Sequence, residues 1–291
     1  MIPAYYLTVM TFICINILLS LSIGVLTGYA GQVSLGHAAF MGIGAYATTF
    51  LITKLGFSCW ASIPTSVLIA ATIGLGLGFV SLRLKEDFLA FTTMGFNFIV
   101  VGIFLYSPFF GGALGMSVPM LTLFGRPLVR LEFFSLCLGV VAVAIFVVWW
   151  LQRSWIGLAW RAIREVQEVA EVMGVNVSKF KIFAFLFSTG LAGMAGVLYA
   201  HFALFVTPND FVFVNSIFIL TLTIFGGLGT IRGPVLGAII LTLLPEYLRF
   251  IQNYRNLTYG LLLVIILVFE PQGLFGDKSF LWRRLKTLWA R

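Results

Sequence analysis

Apolar segments about 20 residues long recur along this 291-residue chain with few polar interruptions. An α-helix of that length crosses about 30 Å of hydrocarbon. Hydrophobic residues make up 60% of the chain and charged residues only 10%, which leaves too few polar side chains to cover a soluble globule of this size. The sequence therefore predicts an all-α, polytopic integral membrane protein with one transmembrane domain over residues 1–291.

The apolar pattern predicts about eight to nine hydrophobic helical segments, some of them short or broken. They are placed at residues 5–27, 38–53, 61–82, 88–106, 133–151, 180–206, 212–225, 234–250 and 259–269. The first segment lacks a basic region and a small-residue cleavage site, so we expect it to be retained as a span.

Basic residues concentrate in the loop at residues 153–179 and in the tail at residues 277–291. Because Lys-rich and Arg-rich loops stay on the cytosolic side, both are predicted to be cytosolic. Arg126 and Arg130 then fall outside, against this rule. The orientation of the N-terminus stays open, since it depends on whether the segment after the first span crosses the membrane or breaks inside it.

The loop between the fifth and sixth spans predicts an amphipathic helix at residues 157–174. Its apolar face is formed by Leu158, Ala162, Val166, Val169, Ala170 and Met173. Two weak i,i+4 ion pairs, worth about 0.2–0.5 kcal/mol each, are expected between Arg161 and Glu165 and between Arg164 and Glu168. Gly174 is predicted to end the helix and Ser178 to cap the next one. Spacing alone leaves two uses open: docking to a partner, or connecting two spans along the lipid surface.

Two stretches combine apolar helix with a glycine-dense break, "LTGYAGQVSLGHAAFMGIGAY" and "LTIFGGLGTIRGPVLGAII". Paired interruptions of this kind point to a translocation path, and they are compatible both with an internal repeat and with glycine frequency alone. The candidates for lining the path or holding the broken helix are Gly28, Gly31, Gln32, Ser34, Gly36, His37, Asn97 and Asn215. For His37 we favour a structural hydrogen-bonding role, and for the two asparagines interhelical hydrogen bonds are a sufficient use.

A stripe of small residues at a four-residue step marks the sixth span as a packing helix: Ser188, Ala192, Gly196 and Ala200. The three cysteines are isolated, so we predict no disulfide and no metal site. Gly31 and Gly36 have the spacing of a phosphate-binding loop, but His37 and Ala38 stand where Lys and Ser or Thr are required. We therefore expect this chain to bind no nucleotide cofactor.

Three blocks of the sequence resemble the permease subunits of bacterial branched-chain amino acid ABC importers, of the LivH/LivM type and most closely the LivM side. The blocks are "GYAGQVSLGHAAFMGIGAYAT", "GLAWRAIREVQEVAEVMGVNVSKFKIFAFLFSTGLAGMAGVLYA" and "GGLGTIRGPVLGAI". In that family the charged loop is a coupling helix that lies in a groove of the ATPase subunit. The resemblance thus implies coupling positions at Arg161, Ala162, Ile163, Arg164, Glu165 and Gly174.

The same resemblance implies a transporter subunit rather than an enzyme. It would move branched-chain amino acids inward across the bacterial plasma (inner) membrane by alternating access. ATP and Mg would be used by the partner ATPase. The implied partners are a second LivH-like permease subunit, two ATPase subunits, an extracytoplasmic substrate-binding protein and membrane lipid, with no nucleic acid.

Alternative functions remain open at this point. Similar permeases serve urea and short amides, and the sequence does not determine the cargo, the residues that contact it, or whether the permease core is a homodimer or heterodimer. An ion-coupled carrier is disfavoured because the apolar spans show no central carboxylate. A passive channel would leave the amphipathic helix unexplained.

Overall fold

The computed structural model describes residues 4–84, 86–123, 126–247, 257, 260–261, 264, 268 and 273–276. Ten α-helices account for most of this part of the chain: α1 Ala4–Ile23, α2 His37–Thr53, α3 Cys59–Ser81, α4 Glu86–Tyr106, α5 Arg130–Arg153, α6 Trp155–Glu165, α7 Gln167–Val172, α8 Val177–Ala203, α9 Phe213–Gly226 and α10 Arg232–Tyr247. Four two-residue strands complete it: β1 Met116–Ser117, β2 Thr122–Leu123, β3 Arg126–Pro127 and β4 Phe205–Val206. The all-α polytopic prediction is confirmed.

Eight of the nine predicted spans correspond to α1–α5 and α8–α10. Six helical segments are long and apolar enough to cross a membrane: Tyr5–Tyr29, Cys59–Ser81, Phe88–Tyr106, Arg130–Arg153, Val177–Ala203 and Pro208–Gly226. Helix α2, with 17 residues, and α10, with 16, are shorter. The ninth predicted span, at residues 259–269, lies largely outside the described residues, and so does the basic tail at residues 277–291.

Helix α8 is the central element of the bundle, and it packs against α1, α2 and α3. Contact with α2 is direct backbone packing, because a Cβ at Gly196 would clash with the carbonyl of Met41 and a Cβ at Gly44 with that of Gly193. The stripe predicted to mediate packing is buried inside this chain: Ser188, Ala192, Gly196 and Ala200. Since lipid provides no hydrophobic drive for helix association, such close backbone approach holds the bundle together.

The two ends of the molecule differ in structure. Helix α5, 24 residues long, joins them, since it follows the irregular loop at residues 107–129 and runs directly into α6. At the loop end, Met116 pairs with Val206 across β1 and β4, so the loop is tied to the end of α8. We call this end the loop face, and the opposite end the α6–α7 face.

Candidate functional site

A break interrupts the bundle after α1. The helix widens into a π-helical turn over Gly24–Tyr29, and residues 30–36 then run without regular structure before α2 begins. Gly31 has a φ of +71°, in the left-handed region that favours glycine. Gln32 and Ser34 are buried, so this first break, which we define as the π-helical turn together with the irregular segment (residues 24–36), lies inside the protein, where its polar groups need internal partners.

His37, at the end of the first break, is fully buried in a chain of hydrogen bonds. Its Nε2 lies 2.8 Å from Ser188 Oγ, and its Nδ1 lies 3.1 Å from Ser34 Oγ. The Ser188 hydroxyl donates its only hydrogen to the carbonyl of Ser22 at 2.7 Å. Nε2 must therefore donate to Ser188, while Nδ1 accepts from Ser34. This chain of bonds fastens the break to α1 and α8.

Gln32 is the side chain of the first break with unused hydrogen-bonding capacity. It is 2% exposed, and neither its amide oxygen nor its amide nitrogen has a partner among the residues described. Its backbone, in contrast, is satisfied: the carbonyl accepts from Thr27 Oγ1 at 3.1 Å and the N–H donates to Leu26 O at 3.0 Å. A buried amide without partners is costly, which marks Gln32 as a group that another molecule or water would satisfy.

Helix α9 also begins beside the interior of the bundle, and the sequence analysis missed this feature. A short 3₁₀ turn, Pro208–Phe211, leads into it, and Asp210 Oδ2 accepts from the N–H of Thr207 at 2.8 Å. The N–H of Ala38 donates to Ser216 Oγ at 3.0 Å, so the first turns of α2 and α9 meet. The signal was present in the sequence as Thr-Pro-Asn-Asp, a helix-start pattern.

Asn97 and Asn215 both hold this 3₁₀ turn in place. Asn97 Nδ2 donates to Phe211 O at 3.2 Å from α4, and Asn215 Nδ2 donates to Asp210 O at 2.7 Å from within α9. Each of these bonds reaches a backbone carbonyl. The Asn97 bond joins distant parts of the chain, whereas the Asn215 bond is local and not the interhelical bond expected from the sequence. Asn97 Oδ1 is buried and has no partner in the described part of the chain.

The second glycine-dense stretch forms a tight connection between α9 and α10 at residues 227–231, which we call the second break. Gly227 and Gly229 have φ values of +122° and +82°. The two breaks are in contact, because a Cβ at Gly28 would lie 2.9 Å from the backbone nitrogen of Gly229. They nevertheless differ in form: the first enters the bundle, whereas the second joins two helices that pack together along their length.

Arg164 of α6 joins both breaks. Its guanidinium Nη1 donates to the carbonyl of Gly28. A Cβ at Gly31 would lie 3.1 Å from Arg164 Cγ, and a Cβ at Gly229 would lie 2.8 Å from Arg164 Nη1. Glycine is therefore required on both sides of the arginine, because any larger residue would displace it. The sequence analysis had expected Arg164 to pair with Glu168, but the contact is with backbone 136 positions earlier in the chain.

The predicted single helix at residues 157–174 is two helices, α6 and α7, which meet at Val166 in an extended conformation with φ of −151°. In α6 the face turned inward is formed by Ala159, Trp160 and Ile163, and of the face that the spacing predicted only Ala170, in α7, is fully buried. Trp160 is 1% exposed, and its indole Nε1 donates to Phe180 O at 2.9 Å. This bond secures α6 to the first turn of α8.

The outer side of α6 and α7 carries exposed apolar side chains. We call it the α6–α7 surface and define it by Leu158, Val166, Val169, Val172 and Met173. Val172 is 88% exposed and Met173 is 79% exposed, although both lie beyond the membrane-length helices. Exposed apolar patches of this kind are typical of surfaces that contact another protein or a membrane.

The six predicted coupling positions therefore lie in three environments. Arg161, Arg164, Glu165 and Gly174 are exposed, and Ala162 is half-buried. Ile163 is buried in a small cluster with Ala170 and Val177, and Arg164 reaches the breaks. Gly174 follows the end of α7 with φ of +83°, which is the expected stop. The cap of α8 is Asn176, whose Oδ1 accepts from Lys179 N at 3.1 Å, and the predicted cap at Ser178 is wrong.

Long apolar helices with interrupted backbone inside the bundle define a polytopic membrane protein of the transport class. Comparison with known proteins gives the family: the model of the branched-chain amino acid transport system permease component matches residues 5–269. The chain belongs to this family. The resemblance noted from the sequence is confirmed.

Several relatives cover most of the chain. The high-affinity branched-chain amino acid transport system permease protein LivM of Escherichia coli K12 is 34% identical over 91% of this chain and 68% of its own length. A probable LivM of Methanocaldococcus jannaschii is 25% identical over 92% of each chain. The E. coli permease LivH is 29% identical over 48% of this chain and 44% of its own. No solved structure gives a significant match.

Proposed function

We propose that this chain is the membrane-spanning permease subunit of an ATP-driven importer that moves branched-chain amino acids inward by alternating access. The family description supports the substrate class. The observation that carries the mechanism is the contact between Arg164 and the carbonyl of Gly28. It links a helix outside the membrane-length segments to the break inside the bundle.

The α6–α7 surface is the proposed docking site of a separate ATPase subunit, which would hold ATP and Mg. Val172 and Met173 are almost fully exposed, and none of the residues that the structure describes covers them. The alternative is contact with an anionic membrane surface. The α7 half of the surface carries Glu168 and Glu171 and no basic residue, so such a membrane would not attract it, whereas the α6 half carries Arg161 and Arg164. A protein groove can meet both halves.

Motion of the ATPase would reach the translocation path through α6. Trp160 fastens this helix to α8, and Arg164 fastens it to the first break, so α6 can act as a rigid lever between them. A small displacement of α6 would pull on Gly28 and reorient the starts of α2 and α9. Because the break lacks regular helical hydrogen bonds, it can change conformation at lower cost than the helices beside it.

Gln32 is the proposed polar group of the path. It lies in the first break, is buried, and offers both a donor and an acceptor. The other candidates have structural partners: His37 bonds to Ser34 and Ser188, and Asn97 to Phe211 O. A Gln amide can meet the carboxylate or the ammonium group of a passing amino acid.

The α6–α7 face is proposed to be cytosolic, because its loop is rich in Arg and Lys. The proposed assembly pairs this chain with a second LivH-like permease and two ATPase subunits, supplied by an extracytoplasmic binding protein. Both LivM and LivH of E. coli are relatives of this chain, which supports a core of two non-identical permeases.

Co-purification of the chain with products of neighbouring genes, followed by uptake assays in proteoliposomes, tests this function. We expect two permeases and an ATPase to purify together, and ATP to drive accumulation of leucine, isoleucine and valine. Urea and acetamide should not accumulate. Accumulation of urea or acetamide instead of leucine would keep the mechanism but change the cargo, and accumulation without any ATPase would contradict the proposal.

A further inference from the structure

A cavity of about 330 Å³ lies at the loop face, away from both breaks. It lies between the start of α1, the loop that precedes α5, and the end of α8. Its apolar wall includes Leu7, Leu121, Leu128 and Phe133. The volume falls at the small end of ligand pockets, where a molecule the size of a single amino acid fits.

The cavity wall also carries polar side chains, namely Thr8, Thr11, Arg130 and His201, and the last two could meet a charged ligand. Arg130, the first residue of α5, lies at the wall, and its guanidinium has no ion-pair partner within the described residues. The neighbouring Arg126, in contrast, pairs with Glu132 at 2.8 Å. Arg130 is also one of the two basic residues that oppose the usual charge bias. Arg130 is exposed, and within the described part of the chain its charge meets no carboxylate.

His201 supplies the second polar group. It is 4% exposed and lines the cavity, and its Nδ1 lies 3.4 Å from the carbonyl of Pro119. A carbonyl only accepts hydrogen bonds, so Nδ1 carries the hydrogen and Nε2 of the neutral ring is an acceptor. Nε2 is buried, and none of the described residues donates to it. The ring therefore needs a donor from a ligand or from water.

We propose that this cavity binds a small zwitterion with an apolar side chain. The carboxylate of the ligand would face Arg130, its ammonium group would donate to His201 Nε2, and its side chain would pack against the leucines. Given the proposed function, the cavity is an entry subsite for a branched-chain amino acid at the outer mouth, before the breaks. Two charged ends and one apolar face are the features that the wall complements.

Direct binding of radiolabelled L-leucine to the co-purified assembly tests the subsite, in phosphatidylcholine nanodiscs without the binding protein. Leucinamide, which lacks the carboxylate, and 4-methylpentanoate, which lacks the ammonium group, serve as competitors. Wild-type protein should bind leucine about tenfold or more tightly than either, the loss expected for one charge-assisted hydrogen bond. No leucine binding, or equal binding of all three compounds, would overturn the proposal without any variant.

Two substitutions assign the contacts. Arg130→Gln should weaken the binding of leucine and of 4-methylpentanoate by about tenfold but leave the binding of leucinamide unchanged. His201→Phe should weaken the binding of leucine and leucinamide and leave the binding of 4-methylpentanoate unchanged. His201→Asn serves as the milder variant if His201→Phe fails to assemble. Arg126→Gln, at the same face but outside the cavity, is the control. Wild-type affinities in both cavity variants would overturn the assignment.

The outcomes separate this subsite from the proposed function. ATP-driven leucine uptake with unaltered leucine binding in the cavity variants would leave the importer standing and remove the subsite. Leucine binding with the predicted pattern, but no ATP-driven uptake, would support the subsite and contradict the proposed importer. Leucine binding that is lost when phosphatidylethanolamine is added would mean that a lipid headgroup occupies the cavity, which also contradicts the subsite.

Discussion

At the scale of single residues, glycine and arginine determine the site together. Arg164 reaches Gly28 only because Gly31 and Gly229 leave space for its side chain. The sequence could predict that the glycines interrupt a helix, since their density is visible without a structure. It could not predict the arginine's partner, because no local pattern connects α6 with a carbonyl 136 residues earlier.

Gly31→Ala should impair transport and lower stability. The left-handed φ of +71° costs alanine about 1–2 kcal/mol, and the new Cβ would lie 3.1 Å from Arg164 Cγ and displace it. Uptake and thermal unfolding of the assembly measure both effects. Gly95→Ala, in α4 where a Cβ meets nothing within 4 Å, is the matched control. Wild-type behaviour of Gly31→Ala would mean that the break tolerates ordinary backbone.

Ser188→Ala should destabilise the protein through His37. The substitution leaves the Nε2–H of His37 and the carbonyl of Ser22 without their partner in a buried site, a loss of about 1–3 kcal/mol. We expect a lower midpoint of thermal unfolding, which is read from a fluorescence melt in detergent. Thr72 is exposed and its hydroxyl bonds only within helix α3, so Thr72→Ala should melt like wild type. Equal midpoints of thermal unfolding in the two variants would argue against a stabilising role for the hydrogen bonds between His37, Ser188 and Ser22.

At the scale of elements, apolar length and periodicity predicted the spans well. Helices α1–α5 and α8–α10 lie close to their expected positions, because each needs only enough apolar residues to cross the membrane. Other features depend on tertiary contacts and were not predictable. Val166 divides the predicted helix in two, and Ile163 of α6 and Ala170 of α7 both turn inward onto the same small buried cluster.

The α6–α7 surface leads to a prediction about assembly. Met173→Glu places a charge in the middle of the proposed ATPase contact, at a side chain that is 79% exposed and so adds no strain to this chain. We expect the permease to express and melt normally but to lose the co-purifying ATPase. Leu114→Glu, at an equally exposed apolar residue of the loop face, should retain it. Retention of the ATPase by Met173→Glu would place the docking site elsewhere.

At the scale of the whole molecule, the chain is a bundle whose two ends present different surfaces. The α6–α7 face carries exposed apolar and charged side chains, and the loop face carries a cavity lined by Arg130 and His201. The breaks lie between them and contact the first end through Arg164. Composition and motifs were enough to predict the class of protein. The difference between the two ends could be described only from the fold, since it depends on which loops share an end.

The central claim is that α6 transmits the work of an ATPase to the first break through Arg164. It is tested most directly by the ratio of leucine transported to ATP hydrolysed in proteoliposomes. Arg164→Gln should keep the assembly intact and ATP hydrolysis measurable while this ratio falls by about tenfold or more, as expected for the loss of one charge-assisted hydrogen bond. Lys179→Gln removes an exposed positive charge in α8 and serves as the control, so it should keep the wild-type ratio. An unchanged ratio in Arg164→Gln, or uptake driven by an ion gradient in the absence of ATP, would contradict the account.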